Sequence, residues 1–287
     1  MQYLITGLAI GAVYALIAVG FAMIYSILNF SNFSHGVIMA CGGFIGYFLI
    51  TAGCPWVLTF ILTAIACGLL DVAVEFLAFR RLRIKRGPLI YLFVVSITVL
   101  SLIENVLAKA FGKNIFGFPP LFKVTTINIM GAVIPKTYIL MFVVSIALLI
   151  MLNLFLQKTR LGIAIRAAAT DLDTCSLMGI RVNLVISIAF FVTGVVGGIA
   201  GMFLGINYTV YPQMGQLVVK GFMASVIGGL GSLNGAIAGA FMLGVIETIL
   251  TYFFGASLAP IGTFVILVAF LIFRPQGIAG ISADQKA

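Results

Sequence analysis

No lysine or arginine occurs before Arg80, and the charged side chains ahead of it are Asp71 and Glu75 alone. A stretch this long and this apolar cannot form a soluble core, because it leaves nothing to face water. In lipid, a helix satisfies its own backbone and needs about 20 apolar residues per crossing. The rest of the chain repeats the pattern, with candidate spans at 3–28, 36–52, 56–79, 88–110, 137–156, 184–205, 216–231, 234–254 and 257–273. Across all 287 residues, 63% are apolar and 8% are charged, far from the composition of soluble domains. The reading is an all-α, polytopic membrane helical bundle of about 8 to 9 spans, some short or broken, forming a single transmembrane domain over 1–287 with no room for a separate soluble one.

The net charge of +9 does not point to nucleic acid, because the basic residues sit in short loops between apolar runs. The densest cluster, Arg80, Arg81, Arg83, Lys85 and Arg86, belongs on the cytoplasmic side, where it is expected to act as a retention signal and nothing more. Counting spans from it puts the 157–183 loop inside with Lys158, Arg160, Arg166 and Arg181, the N-terminus outside and Arg274 inside. The 111–136 loop then falls outside despite Lys113, Lys123 and Lys136, and its FGFPP turn suggests a small ordered cap. Cys41, Cys54, Cys67 and Cys175 are scattered, as packing residues are, and the unbasic start argues against a cleaved signal.

Glycines at four-residue spacing, Gly7 and Gly11, Gly42 and Gly46, Gly197 and Gly201, then Gly231, Gly235 and Gly239, predict close helix packing. Gly228, Gly229, Gly231, Ser232, Asn234 and Gly235 predict a break. Five charged side chains fall within spans, where each costs roughly 2.5–3.5 kcal/mol at a helix centre. Asp71 and Glu75, one turn apart, are expected to pair with the neighbouring arginines, and Glu104 with Lys109 or water. Lys220 is a fourth such residue, and Glu247, with no charged neighbour in sequence, reads as a hydrogen-bonded helix contact or a pathway residue. At Asn32–Gly36 the apolar run is interrupted, and Asn32 or Ser34 is expected to cap a helix starting near His35, leaving its backbone N–H groups to a polar ligand. His35 itself is expected to hydrogen-bond to backbone rather than to a ligand, and partner ligands for a metal are lacking. A fainter echo is Tyr211–Gly221, where Gly215 precedes Gly221 as Gly36 precedes Gly42, hinting at an internal pseudo-repeat.

Neither a hydrolytic triad nor a phosphate-binding loop ending in Gly-Lys-Ser/Thr is present, so the chain is not read as an enzyme. The segment Lys158–Asn183 is nonetheless too structured for a turn. Ala164, Ala167, Ala168 and Leu172 can share a helical face, Asp171 and Asp173 can cap a second short helix, and Met178 and Gly179 close it, which describes a cytoplasmic docking surface.

Three segments, YALIAVGFAMIYSILNFSNFSHG, RLGIAIRAAATDLDTCSLMGIRVN and ASVIGGLGSLNGAIAGAFMLGVIE, resemble the permease subunits of branched-chain amino acid ABC importers, the LivH-type family, over essentially the whole chain. The resemblance implies a multi-pass protein of the bacterial inner membrane, paired with a second homologous permease, two cytoplasmic ATPase subunits and an external solute-binding protein. This chain would bind no cofactor, with ATP and magnesium held on the partner subunits. Solute would pass Asn32, Ser34, His35 and Gly36, facing Met214, Gly215 and Gln216, and the 158–183 loop, through Arg166, Asp171, Leu172, Asp173, Met178 and Gly179, would couple to the ATPases. Val37 and Ser34 depart from the family pattern of an acidic residue after His-Gly and an alanine before it. Urea, amide or nucleoside permeases of the same family are therefore alternatives to an amino acid permease. From another class, so is a self-sufficient carrier or channel using Glu104, Lys220 or Glu247.

Overall fold

The computed structural model describes residues 2–279 apart from Lys113, 123–125, Met130, Gly131 and Pro275. Its helices are α1 (Gln2–Leu28), α2 (Ser34–Thr51), α3 (Trp56–Val74), α4 (Arg80–Ile84), α5 (Leu89–Phe111), α6 (Lys136–Lys158), α7 (Arg160–Thr170), α8 (Leu172–Leu177), α9 (Val182–Asn207), α10 (Val218–Gly228), α11 (Leu233–Phe254) and α12 (Ala259–Phe273). A π-helical turn, Glu75–Phe79, joins α3 to α4, so that Trp56–Ile84 forms one continuous span. Among the described residues seven spans are long and apolar enough to cross a bilayer, and α12 is a shorter apolar helix. The helical bundle read from the sequence is the fold observed.

One predicted span is corrected. Residues 216–231 do not cross: a 3-10 turn, Pro212–Leu217, leads into the 11-residue α10. At 1.5 Å per residue α10 reaches roughly 16 Å, half of a hydrocarbon core. It stops where the glycine cluster begins, with Gly229 at φ 106° and Gly231 at φ 83°, and Ser232 restarts the chain by accepting the Gly235 N–H at 3.2 Å. The connection before α6 carries an antiparallel hairpin, β1 (Thr126–Ile129) with β2 (Ala132–Pro135), in keeping with an ordered cap. Lys113 and Lys123, two of its lysines, lie outside the described residues.

Contacts within the chain gather into two compact units, one of Met1–Ala22, Pro120–Ala147 and Lys220–Ala287, the other of Met23–Pro119 and Leu148–Val219. In lipid, helices are held less by apolar burial than by close backbone approach, so glycine placement decides the packing. In the second unit α9 lies against α2 and α3. A methyl group on Gly42 would sit 2.6 Å from Gly198 Cα, and one on Gly198 would sit 2.5 Å from Cys67 Cβ. In the first unit Gly244 of α11 presses on α1 in the same way, its added methyl 2.5 Å from Gly11 Cα.

Candidate functional site

At the start of α2, Oδ1 of Asn32 accepts the Ser34 N–H at 3.1 Å and the Ser34 hydroxyl at 2.6 Å. Ser34 is therefore the first helical residue and a donor rather than a cap. Asn32 satisfies one of the orphan N–H groups of the helix from just outside it. The expected backbone hydrogen bond of His35 is not made: neither ring nitrogen has a hydrogen-bond partner among the described residues. The ring is instead packed against α9, which offers it a glycine. A methyl group on Gly197 would meet His35 Cε1 at 2.5 Å. Gly36 touches the 3-10 turn directly, for a methyl on Gly215 would lie 2.8 Å from the Gly36 carbonyl oxygen, and Met214 Sδ lies 2.9 Å from a methyl placed on Gly43. The residues of the two polar breaks thus converge. Asn32, Ser34, His35, Gly36, Met214 and Gly215 are all buried, whereas Gln216 is exposed and hydrogen-bonds Glu104.

The intramembrane charges find partners other than those nearest in sequence. Glu75 meets Arg83 Nη2 at 2.9 Å, as expected, and also accepts the Ser187 hydroxyl at 2.9 Å. Asp71 reaches no arginine. It accepts the Thr193 hydroxyl at 3.0 Å, since its position on α3 faces α9 and not the basic cluster one turn beyond. Glu104 binds Gln216 rather than Lys109, which lies five positions on and so on another side of α5. Glu247 is ion-paired with Lys220, which also donates to the Tyr14 hydroxyl at 2.9 Å and lies 5.2 Å from that ring's centre. Arg83 is more than a retention charge, since its largely buried guanidinium also donates to Asn183 Oδ1 at 2.8 Å.

The 158–183 segment folds as two capped helices. Thr159 Oγ1 accepts the Gly162 N–H at 3.0 Å at the head of α7. Asp171 caps α8, accepting the N–H of Asp173 at 2.9 Å, that of Thr174 at 3.3 Å and the Thr174 hydroxyl. The Thr174 hydroxyl first, then these backbone donors, hold the Asp171 carboxyl below the usual carboxylate range. Gly162, Ile165, Ala168 and Cys175 form the buried face, with Ala164, Ala167 and Leu172 half-buried beside it. Arg166, Asp173 and Gly179 stay exposed, and Leu177 and Met178 project at 88% and 78% exposure. Arg86 clasps Asp173 at 3.0 Å across a cleft of about 580 Å³ that Arg83, Thr170, Asp171 and Asn183 also line.

Partners missed by the sequence reading are Tyr14, Ser187 and Thr193. Each is a hydroxyl inside an apolar run, and matching such hydroxyls to intramembrane charges is the signal that could have found them.

Over residues 3–273 the sequence matches the family described as the branched-chain amino acid transport system permease component. It is 33% identical to the high-affinity branched-chain amino acid transport system permease protein BraD of Pseudomonas aeruginosa, covering 100% of this chain and 97% of that protein. The corresponding LivH protein of Escherichia coli is 28% identical, with the same coverage of each. A probable branched-chain amino acid transport permease of Methanocaldococcus jannaschii is 27% identical over 93% of this chain and 88% of its own.

Proposed function

Since this chain belongs to the branched-chain amino acid transport system permease family, we propose that it is the membrane-spanning subunit of an ABC importer for neutral, chiefly branched-chain, amino acids. The observation that carries this is full-length similarity to relatives named for that transport. In this reading the chain acts as one transmembrane permease domain in the inner membrane, beside a second, homologous permease. An external binding protein delivers the solute, and two cytoplasmic ATPase subunits hold ATP and magnesium. The arginines of 80–86 keep α4, α7 and α8 on the cytoplasmic side, which leaves the N-terminus outside and the C-terminus inside.

Solute passes the joint where α2 meets the 3-10 turn, with Asn32, Ser34, His35 and Gly36 on one side and Met214, Gly215 and Gln216 on the other. The physical support is the nature of that joint. Gly36 and Gly215 are in van der Waals contact without a hydrogen bond between them, so the two elements can part without leaving backbone groups unpaired. Arg166, Asp171, Leu172, Asp173, Met178 and Gly179 form the surface that an ATPase grips, and nucleotide shifts the permease between conformations by binding one more tightly than another.

Proteoliposomes holding both permeases, both ATPases and the binding protein should take up leucine in an ATP-dependent way. Uptake by this chain alone would replace the importer with a self-sufficient carrier. With Asp171→Ala, the ATP hydrolysed per leucine moved should rise, and an unchanged ratio would remove Asp171 from the coupling surface.

A further inference from the structure

Six aromatic rings gather where α2 and α5 end. Phe44, Tyr47 and Phe48 lie in the last turns of α2, Phe111 ends α5, and Phe116 and Phe118 come from the strap 114–119 that follows. Phe111 stacks on Phe44 with ring centres 4.8 Å apart and lies 5.1 Å from Phe48. Tyr47 meets Phe116 at 5.2 Å and Phe118, edge-on, at 5.8 Å. Phe44 is buried, Phe48 is exposed and the other four rings are half-buried. The Phe118 ring is seated against α9 where only a glycine leaves room, since a methyl group on Gly205 would lie 2.7 Å from its Cε2. Main chain fixes the strap far less than these rings do. Among the described residues its backbone exchanges one pair of hydrogen bonds, Phe116 N–H to the Val210 carbonyl at 2.9 Å and Val210 N–H to the Phe116 carbonyl at 2.8 Å. Val210 stands two residues before the 3-10 turn, Pro212–Leu217. Met214 of that turn faces Gly43, and Tyr47 stands one helical turn beyond Gly43, about 6 Å along α2 and away from Gly36. The rings therefore lie between the joint of Gly36 and Gly215 and the Thr51 end of α2.

We propose that the strap 114–119 is the outer gate of the solute route, a plug of rings that shuts the joint off from the binding-protein side and lifts to admit solute. The inference rests on the importer reading above. That reading holds α4 inside, so the far end of the span Trp56–Ile84, and with it Thr51 of α2, lies outside. Aromatic contacts suit a closure that opens and shuts, because each adds little beyond its buried area and its parting strands no backbone group. Lifting the strap breaks the bonded pair at Phe116 and Val210, whose N–H and carbonyl groups then meet water on the outer side. Gly112, at φ 70°, turns the chain out of α5 and gives the strap a place to pivot. The same bonded pair ties the strap to the segment that carries Met214 and Gly215, so the gate and the joint are joined by main chain.

The test uses the complete complex in proteoliposomes. Phe116 and Val210 oppose each other as a bonded antiparallel pair, a geometry that sets Cα atoms about 5.5 Å apart, within the reach of a disulfide. In the double variant Phe116→Cys with Val210→Cys, oxidation should abolish leucine uptake and dithiothreitol should restore it, with linkage of the two peptides confirmed by mass spectrometry. Each single variant, oxidised alike, controls for Cys41, Cys54, Cys67 and Cys175 and should keep its uptake. Phe118→Ala, which empties the seat at Gly205, should raise leucine uptake in the absence of binding protein about tenfold. A linked complex that transports as its reduced form does would overturn the inference alone. So would a Phe118→Ala complex as dependent on the binding protein as the unsubstituted one, and this arm decides if the cysteine pair does not assemble. An unsubstituted complex that moves no leucine would defeat the importer reading, and this inference with it.

Discussion

Among the described residues two ion pairs are largely buried within apolar helices, one in each compact unit, and their surroundings differ. Arg83 and Glu75 sit at the end of the Trp56–Ile84 span, where Glu75 also holds Ser187 and Arg83 also holds Asn183. Lys220 and Glu247 have no basic cluster beside them in sequence. Lys220 is held by Glu247 and Tyr14, and Glu247 Oε2 has no hydrogen-bond partner among the described residues. A pair at a span's end can share its charge with polar neighbours and the interface, whereas a pair further along depends on its own partner. Breaking the second should therefore cost more than weakening the first.

The largest effect is expected from Lys220→Met, which leaves Glu247 unpaired and should destabilise the protein by about 3–5 kcal/mol. The double variant Lys220→Met with Glu247→Leu should recover most of that loss, because no isolated charge remains. Thermal unfolding in nanodiscs measures both, and a single variant as stable as the parent would erase the contrast. Glu75→Gln keeps an acceptor for Ser187 and leaves Arg83 its bond to Asn183, so the same measurement should register a smaller loss of about 1–3 kcal/mol. Thr193→Val sharpens the comparison by touching Asp71, a buried acid with no ion pair among the described residues. Removing the donor to Asp71 should cost about 1 kcal/mol. The smallest effect belongs to the exposed cap at Asp171. A carboxyl held below its ordinary range contributes stability that is fully present above that range and is lost as pH falls through the depressed value. Amide protection in Leu172–Leu177, measured relative to the intrinsic exchange rate at each pH, should thus hold at neutral pH and fall only below about pH 4. In Asp171→Ala it should be low throughout.

Patterns that depend on local spacing were legible in the sequence. The spans follow from apolar runs, the stop at Gly228 and restart at Ser232 from the glycine cluster, and the α7–α8 pair from its capping aspartate. The candidate site was legible in part. Its two polar breaks could be named, Asn32 of the two offered caps is the one that accepts the Ser34 N–H, and the structure brings Gly36 against Gly215, but the expected backbone hydrogen bond of His35 is not made. That error concerns what packs on the ring from another helix, which no local window contains. The same applies to Glu104, whose partner is not the lysine five residues on but a glutamine more than a hundred residues away.

The sequence by itself determined that the chain is a bundle of apolar helices long enough to cross a bilayer, and where most of them break, because hydropathy, caps and glycines act over a single turn or span. Tertiary structure alone decided that Lys220 answers Glu247 and that Thr193 answers Asp71. Each of those depends on which faces meet, and in a bundle apolar on nearly every side, hydrophobicity cannot rank one face above another; close backbone approach and the scarcity of polar partners do so instead.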